Sequence, residues 1–230
     1  VLNRVLNKPD TIRVEITLKG ALKLFERKGP DVAEIFSQPR ICQEVAGREF
    51  QGTTLRPGWS LDLTTADPKT GKRWDLSRPD VQKRVRELVR STQPYCVIGS
   101  PPCTAFSPLQ EISRAKRNPR IMAQQLREAK AHVRFCVEIY RMQLAGKRHF
   151  LHEHPEKSKS WQMPEIVELL ARPEVGMTTC HMCAFDMRSR DAEGEGLVHK
   201  ATRLMSSAEE ILKRMNVRCS NESGVSKHRH

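Results

Sequence analysis

The order of apolar segments constrains this chain more than any other feature. Short apolar runs of strand length alternate with longer stretches whose apolar residues recur at helical period. The runs that read as buried strands are Val32 to Phe36 (VAEIF), Trp59 to Leu63 (WSLDL), Tyr95 to Gly99 (YCVIG) and His149 to His152 (HFLH). Met177 to Phe185 and Thr202 to Met205 complete the set.

Between these runs the helical faces are legible. Pro79 to Thr92 places Val81, Val85, Leu88 and Val89 on one side and its basic residues on the other. A long helix is predicted from Asn118, an N-cap followed by Pro119, to about Leu144, with Leu126, Val133, Val137, Tyr140 and Leu144 inward. A third opens at Pro164 with Ile166, Val167, Leu169 and Leu170. A fourth opens at Ser207, where Glu210 forms a capping box.

Strand and helix in alternation, with crossovers of this length, predict an α/β domain: a mostly parallel sheet with helices on both faces. Sites in such sheets lie at the carboxyl ends of the strands. The pattern spans residues 30–215, leaving 1–29 as an amino-terminal extension and 216–230 as a basic, His-containing tail. At 230 residues one core suffices, and 38% apolar with 5% aromatic residues makes that core modest. Forty Lys and Arg against 27 Asp and Glu give +13, a balance that favours a polyanionic partner. No apolar run reaches the roughly 18 residues that a membrane span needs. Seven cysteines, mostly inside apolar runs, read as reduced thiols of an intracellular protein, the nucleus included.

IGSPPCTAFS sets Cys103 directly after the strand YCVIG. Pro101 and Pro102 fix the backbone and remove two donors, so the thiol is held on a stiff loop at the site edge of the sheet. Packing is the alternative use of such a cysteine. In HFLHEHP, Glu153 stands between two histidines at a strand end, where a carboxylate can contact a base edge or move a proton. A solvated turn or a His-Glu-His metal site also fits that pattern. Asp62 in SLDL and Asp75 in RWDL follow earlier runs, positions from which carboxylates in doubly wound folds reach a nucleoside.

The succession EIF, SLDL, WDL, SPPC-x-x-FS and HEHP resembles the DNA cytosine-5 methyltransferases over about residues 31 to 206. The resemblance implies a Rossmann-like fold that binds S-adenosylmethionine, with Cys103 as the nucleophile toward cytosine carbon 6 and Pro101 shaping its loop. It implies that Glu153 contacts ring nitrogen 3 and the amino group, Phe36 stacks on the cofactor, Asp62 holds its ribose, Asp75 lies at its adenine, and Arg203 stands for a late-motif arginine. The chain departs from the family at Ser37-Gln38-Pro39-Arg40, where a glycine-rich turn belongs, and at His154, where Asn follows the glutamate. SPPCTAFS, the basic stretch 118–148, HFLHEHP with Ser160-Trp161, and Lys200 to Met205 are also similar to methyltransferase-like segments of retrotransposon-type polyproteins in some protists. A chain that starts at Val1 rather than Met suits a fragment or a piece of such a polyprotein, and the expected state is a monomer or part of a longer polyprotein.

The expected activity is therefore methyl transfer to cytosine in nucleic acid, DNA before RNA, with Arg114, Lys116, Arg117 and Arg120 on the phosphates. The competing expectation is a catalytically degenerate module of the same fold that binds nucleic acid. No residue is assigned to a metal, although Cys180 and Cys183, with Cys219, His228 and His230, leave a zinc site open beside a packing role.

Overall fold

The computed structural model describes residues 28–50, 52–108, 110, 117–192 and 194–219, and the backbone of 228–229. Residues 1–27 of the expected extension, Arg114 and Lys116 of the expected phosphate face, and His230 lie outside them. The strands are β1 (Val32–Ile35), β2 (Glu49–Phe50), β3 (Thr53–Thr54), β4 (Pro57–Leu61), β5 (Cys96–Gly99), β6 (His149–Pro155), β7 (Gly176–His181), β8 (Arg188–Asp191), β9 (Gly194–Val198), β10 (Ala201–Ser206) and β11 (His228–Arg229). The helices are α1 (Ile41–Val45), α2 (Pro79–Thr92), α3 (Pro119–Ala145), α4 (Pro164–Leu170) and α5 (Glu209–Met215).

Six strands form the central sheet in the order β4-β1-β5-β6-β10-β7. The first four run parallel, and β10 lies antiparallel between β6 and β7. Alternation along the strands divides the core into two faces. Ile35, Val97, Phe150 and Met205 pack under α2, α3 and α4, while Ile98 packs with Val32 and α1, and Leu204 with Cys180 and α5. The expected α/β sheet with helices on both faces is thus present.

The helix starts show how local chemistry sets the boundaries. Asn118 caps α3 by accepting the Arg120 N–H at 2.9 Å, with Pro119 following. The capping box expected at Ser207 does not form. Ala208 precedes α5, and the Ser206 hydroxyl accepts the Ala208 N–H at 2.9 Å while donating to the Phe150 carbonyl, which ties the helix to β6. Val167, expected to face inward on α4, is exposed, because Ile166 and Leu169 already fill that helix's apolar side.

Three strand expectations are also corrected. β4 stops at Leu61, so Asp62 follows the strand and Leu63 is exposed. The RWDL segment is no strand: after a single bridge between Ala66 and Arg73 it turns into α2, burying Trp74 and Leu76. Met177 to Phe185 divides into β7 and a 3-10 turn, Met182–Phe185. The hairpins β2–β3 and β8–β9 went unforeseen, since their residues are largely exposed and carry little apolar alternation.

Candidate active site

The chain leaves β1 for β4 on one side and returns to β5 on the other. This reversal of strand order opens a crevice beyond the carboxyl ends of β1 and β5, where ligands of doubly wound sheets bind. The register aligns Leu61, Ile35, Gly99 and His152 across four parallel strands. The next residue on each is therefore Asp62, Phe36, Ser100 and Glu153. Three residues named from the sequence and the entrance to the Cys103 loop share one edge, at about 4.8 Å per strand.

The Cys103 loop is held from behind. Pro101 is buried, and its carbonyl accepts a hydrogen bond from His154 Nε2 at 2.8 Å. A carbonyl cannot donate, so Nε2 carries the proton and Nδ1 accepts from the Ser160 hydroxyl. Ser158 donates to Ser160 at 2.7 Å, and the Trp161 ring nitrogen donates to the Pro155 carbonyl at 2.9 Å. His154 is 1% exposed, and burial lowers its pKa, so the imidazole is neutral. The Ser160-Trp161 pair thus braces the end of β6. Gly99 is required for a related reason: a Cβ there would meet the Tyr140 hydroxyl, which bonds His152 Nδ1 at 2.9 Å.

Cys103 itself is half-buried. Its carbonyl accepts the Phe106 N–H at 2.9 Å, and the buried Phe106 ring fixes the 3-10 turn Thr104–Phe106. Burial and the neighbouring Glu153 carboxylate push the thiol pKa up, while Lys200 pulls it down. Lys200 pairs with Glu153 at 3.6 Å. From the sequence, Lys200 stood out only as the first residue of the Lys200 to Met205 stretch. By geometry Lys200 is the cation of the site, and a basic residue just ahead of a strand that pairs with β6 was its signal.

Arg203 takes a different position. It lies opposite His154 in the β6–β10 ladder, on the other side of the sheet from Glu153, whose partner is Leu204. Its guanidinium sits 5.7 Å from the Trp161 ring, and its buried Nε has no hydrogen-bond partner among the described residues. It supports the brace behind Pro101.

At the β1 end, Phe36 turns the chain with a φ of 55°, a left-handed conformation costly for a large side chain. Its ring lies 5.0 Å from that of His132 on α3. His132 was not anticipated. Burial lowers its pKa, with Asp75 and Glu128 opposing, which places Asp75 on the same flank. Asp62 spends one carboxylate oxygen on the Thr64 N–H and hydroxyl, at 2.9 and 2.8 Å. Asp75 spends one on Ser77 in a turn, rather than standing at the end of a strand as expected.

Glu34, also unanticipated, is the buried charge of β1. Its carboxylate accepts the Ile41 and Cys42 N–H groups at 2.9 and 3.1 Å, and the Ser37 hydroxyl at 3.2 Å. It closes the amino end of α1, where a glycine-rich turn would leave donors open to a ligand. An acidic residue inside VAEIF was the visible signal.

The His-Glu-His metal option at β6 does not hold, because both His154 nitrogens are engaged and His152 is buried with Nδ1 on Tyr140. Of the phosphate candidates, Arg117 bonds Gln125 at 2.8 Å and Arg120 opens α3, whose first turn has no acidic residue. The 280 Å³ cavity between the Thr104–Phe106 turn and α3 is lined by Phe106, Leu126, Lys130, Arg134 and Lys159. A larger one, about 400 Å³, lies beyond β4 against α2, away from Cys103. No helix among the described residues is long and apolar enough to cross a membrane. Compared with models of known protein families and with curated proteins, the chain matches none.

Proposed function

We propose that this domain methylates carbon 5 of cytosine in nucleic acid, using Cys103 as nucleophile and S-adenosylmethionine as methyl donor. The observation that carries the reading is the shared edge: Asp62, Phe36, the Cys103 loop and Glu153 emerge from four adjacent parallel strands at the switch point. In this reading the nucleoside end of the cofactor is held near the Phe36 ring and Asp62, whose second carboxylate oxygen is unbonded among the described residues. Asp75 lies on the Phe36 flank.

Carbon 5 of cytosine is a weak nucleophile. Addition of the Cys103 thiolate to carbon 6 forms an S–C bond and moves the C5=C6 electron pair to carbon 5. S-adenosylmethionine supplies an electrophilic methyl group to that carbon. Methyl transfer leaves S-adenosylhomocysteine, and loss of the carbon 5 proton to water then restores the double bond as the S–C bond breaks and frees the Cys103 thiolate. Glu153 accepts from the amino group and, carrying a proton, donates to ring nitrogen 3, and Lys200 keeps the carboxyl group oriented. The base must leave its stack to reach a strand edge, and the unopposed positive end of α3, with Arg117 and Arg120, offers a place for the backbone phosphates.

The second reading, a nucleic-acid-binding module that has lost methyl transfer, is favoured by Glu34. Its carboxylate fills the amino end of α1 and leaves the amino-acid end of the cofactor without open backbone donors there.

One experiment tests both. The chain is incubated with S-adenosylmethionine and a duplex carrying 5-fluorocytosine, whose fluorine cannot leave as a proton. A denaturation-resistant adduct that requires the cofactor and vanishes in Cys103→Ser is expected. Salt-sensitive binding without an adduct would overturn methyl transfer in favour of the binding module.

A further inference from the structure

Arg120, Arg127, Arg134 and Arg141 recur every seven residues along α3, so they lie on one face of the helix and drift only about 20° from each to the next. Lys130 falls on the same stripe, one turn from both Arg127 and Arg134. The two halves of the stripe are used differently. Where α4 lies alongside, Arg134 pairs with Glu165 at 2.6 Å and Arg141 with Glu168 at 2.9 Å. Toward the amino end of α3, Arg120, Arg127 and Lys130 form no ion pair among the described residues.

The unpaired half meets the cavity of about 280 Å³ beside the Thr104–Phe106 turn. Phe106, Leu126 and Met163 form its apolar floor, and Lys130, Lys159 and the Arg134–Glu165 pair stand around it. Sites for drug-sized molecules run from about 300 Å³ upward, so this one suits a single ring with its substituent. An apolar floor under a cationic rim selects an anion with a flat apolar face. A nucleotide has both, a base that stacks and a phosphate, whereas an acidic peptide has only the charge. Phe106 follows Cys103 by one 3-10 turn, a rise of about 6 Å. Its ring lies 6.0 Å from that of His154, which puts the cavity on the His154 side of the loop, while Cys103 meets the charges of Glu153 and Lys200.

We propose that this cavity receives the nucleotide next to the target cytosine, its base over Leu126 and Met163 and its phosphate between Lys130 and Lys159. The strand crosses the Thr104–Phe106 turn from the Glu153 side and continues along Arg127 and Arg120. A base must be unstacked to enter a recess, so a single strand binds more tightly than a duplex. The subsite rests on the reading that the partner is nucleic acid, and not on methyl transfer.

The test measures, by fluorescence anisotropy over a range of salt, the binding of the full chain to an end-labelled five-nucleotide strand with a central cytosine. No methyl donor is added. Lys130→Gln and Lys159→Gln should each weaken binding about threefold to tenfold and reduce the slope of log affinity against log salt by about 0.7. Leu126→Trp fills the floor and should weaken binding about tenfold, but not to a strand that is abasic on one side of the cytosine. Arg141→Gln, on the paired half, should stay within twofold, and circular dichroism checks that every variant is folded. Unchanged affinity and slope in the double lysine variant overturn the proposal. So does an equal loss on both abasic strands in Leu126→Trp, or competition by polyglutamate as effective as by the strand itself. If the wild-type chain forms the cofactor-dependent adduct while these variants bind like it, the subsite fails and methyl transfer stands. Weakened binding in the variants, with no adduct in the wild-type chain, keeps the subsite and overturns methyl transfer.

Discussion

The ends of β6 and β7 each gather two imidazoles, and the two pairs differ in how deeply they are buried and in what they brace. At β6, His152 and His154 are 0% and 1% exposed with rings 4.8 Å apart, and His154 spends both nitrogens on the protein itself. At β7, His181 and His199 lie nearer the surface beside two thiols, with nitrogens directed at each other. A buried imidazole with every lone pair and proton assigned positions a loop. Burial and hydrogen-bond accounting separate the roles, and residue type does not.

The largest expected break in this comparison is His154→Ala. It removes a buried ring, leaves the Pro101 carbonyl and the Ser160 hydroxyl without their partner, and opens a cavity behind the loop. A loss of about 3 kcal/mol in urea unfolding is expected, with the rate of adduct formation at Cys103 falling beyond what the folded fraction explains. His181→Ala should cost under about 1 kcal/mol, as a less buried site would. Equal losses would erase the distinction.

Acid should separate the pairs next. Burial depresses the pKa of both His152 and His154 below the ordinary 6.5. The unfolded chain therefore takes up protons first as pH falls. The stability due to the neutral rings is complete above pH 6.5 and is lost progressively below it, by at most about 1.4 kcal/mol per pH unit for each ring. His154→Gln should reduce the proton uptake on unfolding, measured as the slope of stability against pH, by close to one of those two contributions. An unchanged slope would mean that His154 is charged in the folded state, and its bond pattern would have to be redrawn.

How much of this was legible follows the same physics. The strands of the central sheet announced themselves because both faces are covered, which leaves runs such as CVIG apolar throughout and VAEI apolar but for the buried Glu34. Cys103 was legible because two prolines after such a run leave the chain few conformations. The hairpin β8–β9 was not, since RSRD is exposed along its length and pairs through its backbone. The brace on Pro101 depends on residues 53 positions apart and on a ring whose neighbour in sequence, Glu153, drew the functional reading. HFLHEHP did contain the clue: period-two alternation puts His152 and His154 on the face of Phe150 and Glu153 on the other. The place of Lys200 beside Glu153 needed the register of β10 on β6, which no local spacing encodes.

The finest effect concerns the thiol itself. Burial and the Glu153 carboxylate both favour the protonated form of Cys103, and Lys200 opposes them. Glu153→Gln removes the repulsion and keeps the shape, so the thiol pKa should fall, and alkylation of Cys103 by iodoacetamide should reach half its maximal rate at lower pH. Lys200→Met removes the opposing cation and should move the same profile to higher pH. The remaining cysteines do not obscure the readout, since Cys96 is pushed up to about 12 by burial and Cys42, Cys136 and Cys180 are buried. Labelled Cys183 and Cys219 are told apart from Cys103 by peptide mapping. If both variants shifted the profile in the same direction, the ion pair would be acting on the loop's shape rather than on the charge of the thiol. If neither moved it, Glu153 would not be the group that keeps the Cys103 thiol protonated in the free domain.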